Sequence, residues 1–202
     1  MRLFLSSYRF GSDPTRLLEV TRGPGRVAVI ANAGDAWPSR ARESSVTSEF
    51  GPLRGLGYDP EEVDLRDHLG DPGSLRARLG AFSSVWVRGG NTFVLRAQLA
   101  RSGGDTVLTD LVGTGALAYA GYSAGACIAT PTLRGLEFSD DPAEVVEIGA
   151  GPVVWDGLGW SITRSFPMRE TPCWVTTVST AHWNTFAASP SRSWRCATTT
   201  RW

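Results

Sequence analysis

The sequence predicts an α/β domain, a three-layer sandwich around a mainly parallel sheet. Three observations lead there. Short apolar runs rich in β-branched residues, "RLFLSS", "RVAVIANAG", "SSVWVRGG" and "ALAYAG", stop at small or turn residues, as buried strands do. The stretches between them have helical length and helical spacing of apolar positions. Strands separated by helices need crossovers, and crossovers make neighbouring strands parallel, with a helical layer on each face.

Taken in order, residues 2–7 form the first strand and residues 26–34 the second. "SRARESSVTSEFGPLRGLG", residues 39–57, is polar with spaced apolar positions and closes in glycine, so it reads as a helix. "EEVDLRD", residues 61–67, is the third strand candidate, "GSLRARLGAF" a short helix, and residues 83–90 the fourth strand. "NTFVLRAQLARSG" carries Phe93, Leu95 and Leu99 at helical spacing and closes at Gly103, and "DTVLTDLVGTG" is another short helix. "ALAYAG" then runs into a serine turn, from which "AGACIAT" starts the next helix. "TRGPGR" reads as a turn, too weak for a phosphate loop. In such sheets ligands collect beyond the carboxyl ends of the strands. Two turns fall there, Gly89-Gly90-Asn91 and Gly121-Tyr122-Ser123.

Composition narrows the function classes. The chain has 202 residues, 42% hydrophobic, with zero formal net charge and no lysine among its 20 cations. That argues for no nucleic acid partner and against acidic disorder. Cys127, Cys173 and Cys196 make no C-x-x-C pair, so neither a metal site nor a disulfide framework is expected, and no cofactor is implied. The opening "MRLFLSSYRFG" is too short an apolar run for a signal peptide, and no stretch approaches a membrane span. No membrane partner and a cytoplasmic location are the expectations.

The turn Gly121-Tyr122-Ser123-Ala124-Gly125 has a mechanical meaning. A G-x-S-x-G turn between strand and helix holds its serine in a strained conformation that small neighbours allow, with the hydroxyl above the sheet. Backbone N–H groups at the start of the following helix point to where an oxyanion would form. In "RGGNTF" two glycines permit close backbone approach, and Asn91 can cap the helix that follows. Alone that is a plain strand-to-helix turn; beside Ser123 it is a candidate source of a second oxyanion N–H. Cys127, one turn beyond Ser123, reads as a small packed residue.

"VWVRGGNTFVLRAQL", "GYSAGA", "VAVIANAGDAW" and "RLFLSS" together resemble the peptidase E family, which includes aspartyl dipeptidases and cyanophycinase relatives. The resemblance covers residues 1–159 and implies a fold like that of the class I glutamine amidotransferases. It implies Ser123 as nucleophile, Gly90 and Ala124 as donors of the oxyanion hole, and Asn91 as a substrate-binding residue. The family's acid falls in "EFSDDP", where Asp140 is preferred to Asp141 because the family often shows Asp-x-Pro. The α/β-hydrolases share G-x-S-x-G but normally in longer chains with a histidine near the end, and the amidotransferases carry cysteine at the Ser123 position.

A serine hydroxyl needs a base to take its proton. The family supplies a histidine after a segment like "GLGLVDFSVVPH"; this chain begins that segment with "WDGLG" and departs at Trp160. Its two histidines are His68, in "LRDHLG", which reads as a surface or helix-start residue, and His182, in "TAHWNT", without a family counterpart. From Trp160 onward the chain carries five of its eight tryptophans and one acidic residue, Glu170. Shifted by one nucleotide from Gly159, the codons for "WSITRSFPMRE" are compatible with "VVDHSIVPHARD", histidine included. The expected organisation is therefore a domain over residues 1–159 and an out-of-frame, poorly packed tail over 160–202. The expected function is a serine-type peptidase acting on small peptide substrates through an acyl-enzyme at Ser123, impaired by loss of its histidine. The alternative is a non-catalytic relative, a pseudoenzyme or an amidotransferase-like ligand-binding module. A monomer and a homodimer are both compatible with the sequence.

Overall fold

Alternation along five short strands sorts the side chains into two layers. In the computed structural model, which describes residues 1–160, β1 (Leu3–Ser6), β2 (Arg26–Ile30), β3 (Asp59–Glu62), β4 (Ser84–Val87) and β5 (Ala118–Tyr122) form one sheet in the order β1-β5-β4-β2-β3. Every pairing is parallel. Leu3, Ala28, Ile30, Val85, Val87 and Tyr119 point to one face, Phe4, Val27, Val29, Trp86, Ala120 and Tyr122 to the other. The first face meets α3 (Pro72–Leu79), α4 (Thr92–Ser102) and α5 (Gly104–Gly113); the second meets α1 (Thr15–Thr21) and α2 (Ser39–Gly55). Burial on both faces is why β1, β2, β4 and β5 read as largely apolar runs, whereas β3, Asp-Pro-Glu-Glu at the sheet edge, does not. The three-layer α/β architecture expected from the sequence is the one observed.

Three local expectations are corrected. The third strand lies at Asp59–Glu62, upstream of residues 61–67, because the ladder with β2 runs from Arg26–Asp59 to Val29–Glu62. Beyond it the Asp64 side chain accepts the Arg66 N–H and turns Leu65–His68 into a 3₁₀ segment. The second strand stops at Ile30, and Asn32–Gly34 forms a 3₁₀ turn. The helix after the serine, α6 (Ala124–Cys127), is only four residues long. Its continuation turns at Thr130-Pro131 toward a segment that carries α7 (Ala143–Glu147) and returns along it. Helix α1 was not anticipated at all; its seven residues end at Arg22, which adopts a left-handed conformation in place of the usual glycine.

Trp160, the residue at which the sequence departs from the family pattern, is built into the body. It is buried, its ring meets Tyr119 edge-on at 5.0 Å, and its indole N–H donates to Thr109 Oγ1 at 3.1 Å. His182, Trp174, Trp183 and Trp194 lie outside the described residues.

Candidate active site

The two turns singled out in the sequence meet at the carboxyl end of β4 and β5. Ser123 follows the last residue of β5 with φ 52° and ψ −117°, a conformation that costs a non-glycine residue free energy. Its N–H is held by the Ser6 carbonyl at 3.1 Å, and its carbonyl accepts from Ala126 and Cys127. The glycines on either side answer to sterics. A Cβ on Gly121 would stand 2.4 Å from the Gly125 carbonyl oxygen, and one on Gly125 would stand 2.3 Å from that of Val87. Helix α6 can therefore lie directly on the strand ends, and the Ser123 side chain stays partly open to solvent.

Gly89 lies against the serine: a Cβ there would be 2.8 Å from Ser123 Cβ and 3.2 Å from Oγ. Gly90 takes φ 152° and presses on Ala33, whose carbonyl accepts the Asn91 N–H at 2.8 Å. Among the described residues neither the Gly90 N–H nor the Ala124 N–H has an acceptor. Both belong to the short backbone stretches that flank Ser123 and the Gly89 contact.

Asn91 and Asp140 come together, at the N-terminus of α4. Asn91 Oδ1 accepts from Phe93 N–H and Val94 N–H, while its Nδ2 donates to the Asp141 carbonyl and to Glu144 Oε2. Its side chain is fully engaged as a cap. Asp140 Oδ2 accepts from both Thr92 N–H (2.9 Å) and Thr92 Oγ1 (2.5 Å), satisfying one more of the orphan donors of α4. Asp141 is exposed and turns the other way, accepting the Ala143 N–H at the start of α7. Cys127 is partly buried beside Phe93 and Val94.

His68 is not at this site. Its Nδ1 pairs with Ser74 Oγ at 2.8 Å, and Gly70, two residues on, donates to the Arg101 carbonyl in the last turn of α4. Asn91 and the serine turn lie at the other end of that helix, about 15 Å away along its axis.

Sequence reasoning missed two charged clusters, one beside the serine turn and one beyond β2 and β3. On the α2 side, Glu49 is buried with Oε1 accepting from Tyr122 OH at 2.8 Å and Oε2 from Trp86 Nε1 at 3.0 Å. Burial, followed by the Glu49 charge, pushes the Tyr122 phenol well above its ordinary range. Arg88 Nε lies 3.3 Å from the same Oε1 and Arg9 Nη2 3.8 Å from it. Beyond β2 and β3, Arg42 meets Asp35 at 3.1 Å, Glu62 at 2.6 Å and Asp64 at 2.8 Å. Asn32 bridges Asp35 and Asp64 through Nδ2 and accepts the Leu65 N–H, while Gln98 reaches Asp35 from α4. Burial raises the Asp64 carboxyl, but hydrogen bonds from Arg66 and Asn32 and the Arg42 charge outweigh it and hold it at about 2. The signal that could have exposed both clusters is helical: Arg42, Ser45, Val46, Glu49 and Leu53 share the buried stripe of α2, two charges where apolar residues belong.

Similarity to other proteins agrees with this geometry. A crystal structure of a protein designated peptidase E from Listeria monocytogenes superposes with a TM-score of 0.65 at 27% identity, over 79% of this chain and 75% of that one. Two uncharacterized peptidases, from Listeria monocytogenes and Listeria innocua, are each 32% identical over 96 residues, 48% of this chain. Those matches span 45% and 44% of the relatives, so less than half of their length is represented. Residues 18–153, which hold Glu49, Gly89, Gly90, Asn91, Ser123 and Asp140, match Peptidase family S51. The chain belongs to peptidase family S51.

Proposed function

We propose that the chain is a serine-type hydrolase of small peptides in which Ser123 forms an acyl-enzyme, and that it turns over slowly because a base is missing. The observation that carries this reading is the strained Ser123, partly open and pressed against Gly89. Strain at a reactive residue persists only where the surroundings enforce it. Here the Ser6 carbonyl and the close approaches at Gly89, Gly121 and Gly125 do so.

In the reaction, Ser123 Oγ adds to the peptide carbonyl carbon as its proton passes to solvent water in place of a histidine, and the resulting oxyanion takes hydrogen bonds from the Gly90 and Ala124 N–H groups. Collapse breaks the C–N bond, the departing nitrogen taking a proton from water, and leaves an ester on Ser123, which water hydrolyses to the acid and free Ser123. Asp140 suits the role of the acid better than Asp141, since it sits beside the Gly89-Gly90 turn, through Thr92, rather than at α7. Asn91 would reach substrate only by giving up a capping bond, so its support for the site is through the position of Gly90.

The non-catalytic alternative is favoured by one observation: His68, the histidine among the described residues, lies at the far end of α4. A fluorophosphonate probe separates the two. Slow labelling of the chain, far below that of a version carrying the other reading frame after Gly159 and abolished by Ser123→Ala, supports a nucleophile without its base. No labelling of either version, with retained binding of peptides, supports a ligand-binding relative. Turnover of dipeptides is expected to be at least about 10³-fold below that of a version carrying the other reading frame after Gly159, since losing a triad base costs up to about 10⁶-fold. Equal turnover by both versions would refute the missing-base reading.

A further inference from the structure

Glu49 is fully buried on the apolar stripe of α2, within the cluster formed by Phe4, Val29, Leu53 and Trp86. Burying a carboxylate there is costly unless it is paired and hydrogen-bonded. Its partners come from three separate segments, each bordering Ser123. Arg9 lies in the loop after β1, the strand whose Ser6 carbonyl holds the Ser123 N–H. Trp86 lies in β4, and Arg88 follows that strand, its Nη1 donating to the Gly89 carbonyl at 2.7 Å. Tyr122 closes β5 and immediately precedes the serine.

We propose that Glu49 is a positioning residue for the serine turn: one buried carboxylate that holds the chain after β1, β4 and β5 in register, fixing Ser123 and Gly89 relative to each other. This rests on reading Ser123 as the reacting group. Both carboxylate oxygens are used as acceptors; the Trp86 indole and the Arg88 and Arg9 guanidinium groups can only donate, and the Tyr122 hydroxyl donates here. A glutamine in its place must aim its NH₂ either at the Trp86 indole N–H or at the Arg88 guanidinium, both donor-only, and the second choice also obliges the Tyr122 hydroxyl to turn and accept. An aspartate keeps the charge and both acceptors but is one methylene short.

The test is amide hydrogen exchange on the intact chain, comparing Glu49→Gln, Glu49→Asp and, as a control on the same helix, Leu53→Ala. Glu49→Gln is expected to speed exchange at least tenfold in residues 6–10, 86–90 and 121–125 together, with α3 to α5 unchanged. Glu49→Asp is expected to recover part of that protection. Leu53→Ala should loosen α1 and α2 instead. Should Glu49→Gln not fold, Tyr122→Phe removes one of the ties alone and should loosen residues 121–125 without residues 6–10. Exchange that rises evenly with loss of stability, or only within α2, overturns the proposal. Fluorophosphonate labelling of Ser123 should fall at least tenfold in Glu49→Gln; an unlabelled parent chain would count against the serine reading and leave the exchange comparison to decide on Glu49.

Discussion

The chain leaves the sheet at the same edge after β4 and β5 as after β2 and β3, yet the two pairs of turns are built to opposite ends. Beyond β2 and β3, charges are paired and most donors and acceptors matched, Glu62 Oε1 having its ion pair with Arg42 but no hydrogen bond. Arg42 faces three carboxylates, and Asn32 and Gln98 take up further oxygens of Asp35 and Asp64. Beyond β4 and β5, a non-glycine residue sits at positive φ and two backbone N–H groups face no acceptor among the described residues. Matched polar groups lock a structure; strained and unmatched ones are free to act on something else. The difference separates the scaffold from the site more sharply than residue type does, since both regions are rich in polar groups.

Substitutions at the centre of each region should break that contrast most visibly. Arg42→Ala strips three buried or half-buried carboxylates of their shared cation, and losing one partner of such a cluster costs about 3–5 kcal/mol. Urea unfolding should show it as a large fall in midpoint. Ser123→Gly should do the reverse, raising stability by about 1 kcal/mol because glycine accepts φ 52° without strain, while abolishing fluorophosphonate labelling. Were Arg42→Ala neutral and Ser123→Gly destabilising, the division into scaffold and site would be wrong.

The pH dependence of stability should follow the matched cluster. Asp64 is held at about 2 in the folded chain, below the ordinary carboxylate value near 4. A depressed folded pKa contributes stability that is complete above the unfolded value and is lost as pH falls through the folded one. The window is therefore about pH 4 down to about 2, and the contribution is about 2 kcal/mol. Asp64→Asn should flatten the acid limb of a stability-against-pH curve over that window; an unchanged limb would show that Asp64 is not held low.

What the sequence revealed divides along the same line. The strand–serine–helix turn and "RGGNTF" are local patterns, and the contact that demands glycine at Gly121 is with Gly125, four residues on, although the one that demands glycine at Gly125 is with Val87 on the neighbouring strand. The matched clusters are long-range. Glu49 and Tyr122 are 73 positions apart, and Gln98 and Asp35 are 63 apart. No window of sequence contains both ends. The same blindness misplaced the third strand: Val63 and Leu65 look like strand positions, but the pull of Asn32 on Leu65 and of Arg42 on Asp64 bends the chain away from β2.

Within the site, Gly89 offers a sharper probe than the serine itself. Gly89→Ala places a methyl 2.8 Å from Ser123 Cβ and 3.2 Å from Oγ, so the hydroxyl must move even though the nucleophile is present. A misplacement of about 1 Å is worth about 10²-fold in rate. Labelling should fall by that order while the urea midpoint moves by less than that of Arg42→Ala. Labelling at the parental rate would mean that Ser123 does not need the Gly89 contact.

The two aspartates give the smallest and most discriminating comparison. Each accepts a helix-start N–H, Asp140 from Thr92 on α4 and Asp141 from Ala143 on α7. Asparagine still accepts a hydrogen bond at a helix start, so Asp140→Asn and Asp141→Asn should both cost at most about 1 kcal/mol in stability. Their consequences for Ser123 should differ. Asp140 holds Thr92 through both N–H and Oγ1, and Thr92 follows Asn91, whose own N–H is fixed on Ala33 beside Gly90. A change of charge there is felt next to the serine turn; a change at the exposed Asp141 is felt beside α7. Asp140→Asn should therefore slow labelling of Ser123 severalfold, and Asp141→Asn should leave it within experimental error. Measured side by side, equal rates would remove Asp140 from the site and leave it a helix cap, whereas the opposite order would move the acid to Asp141.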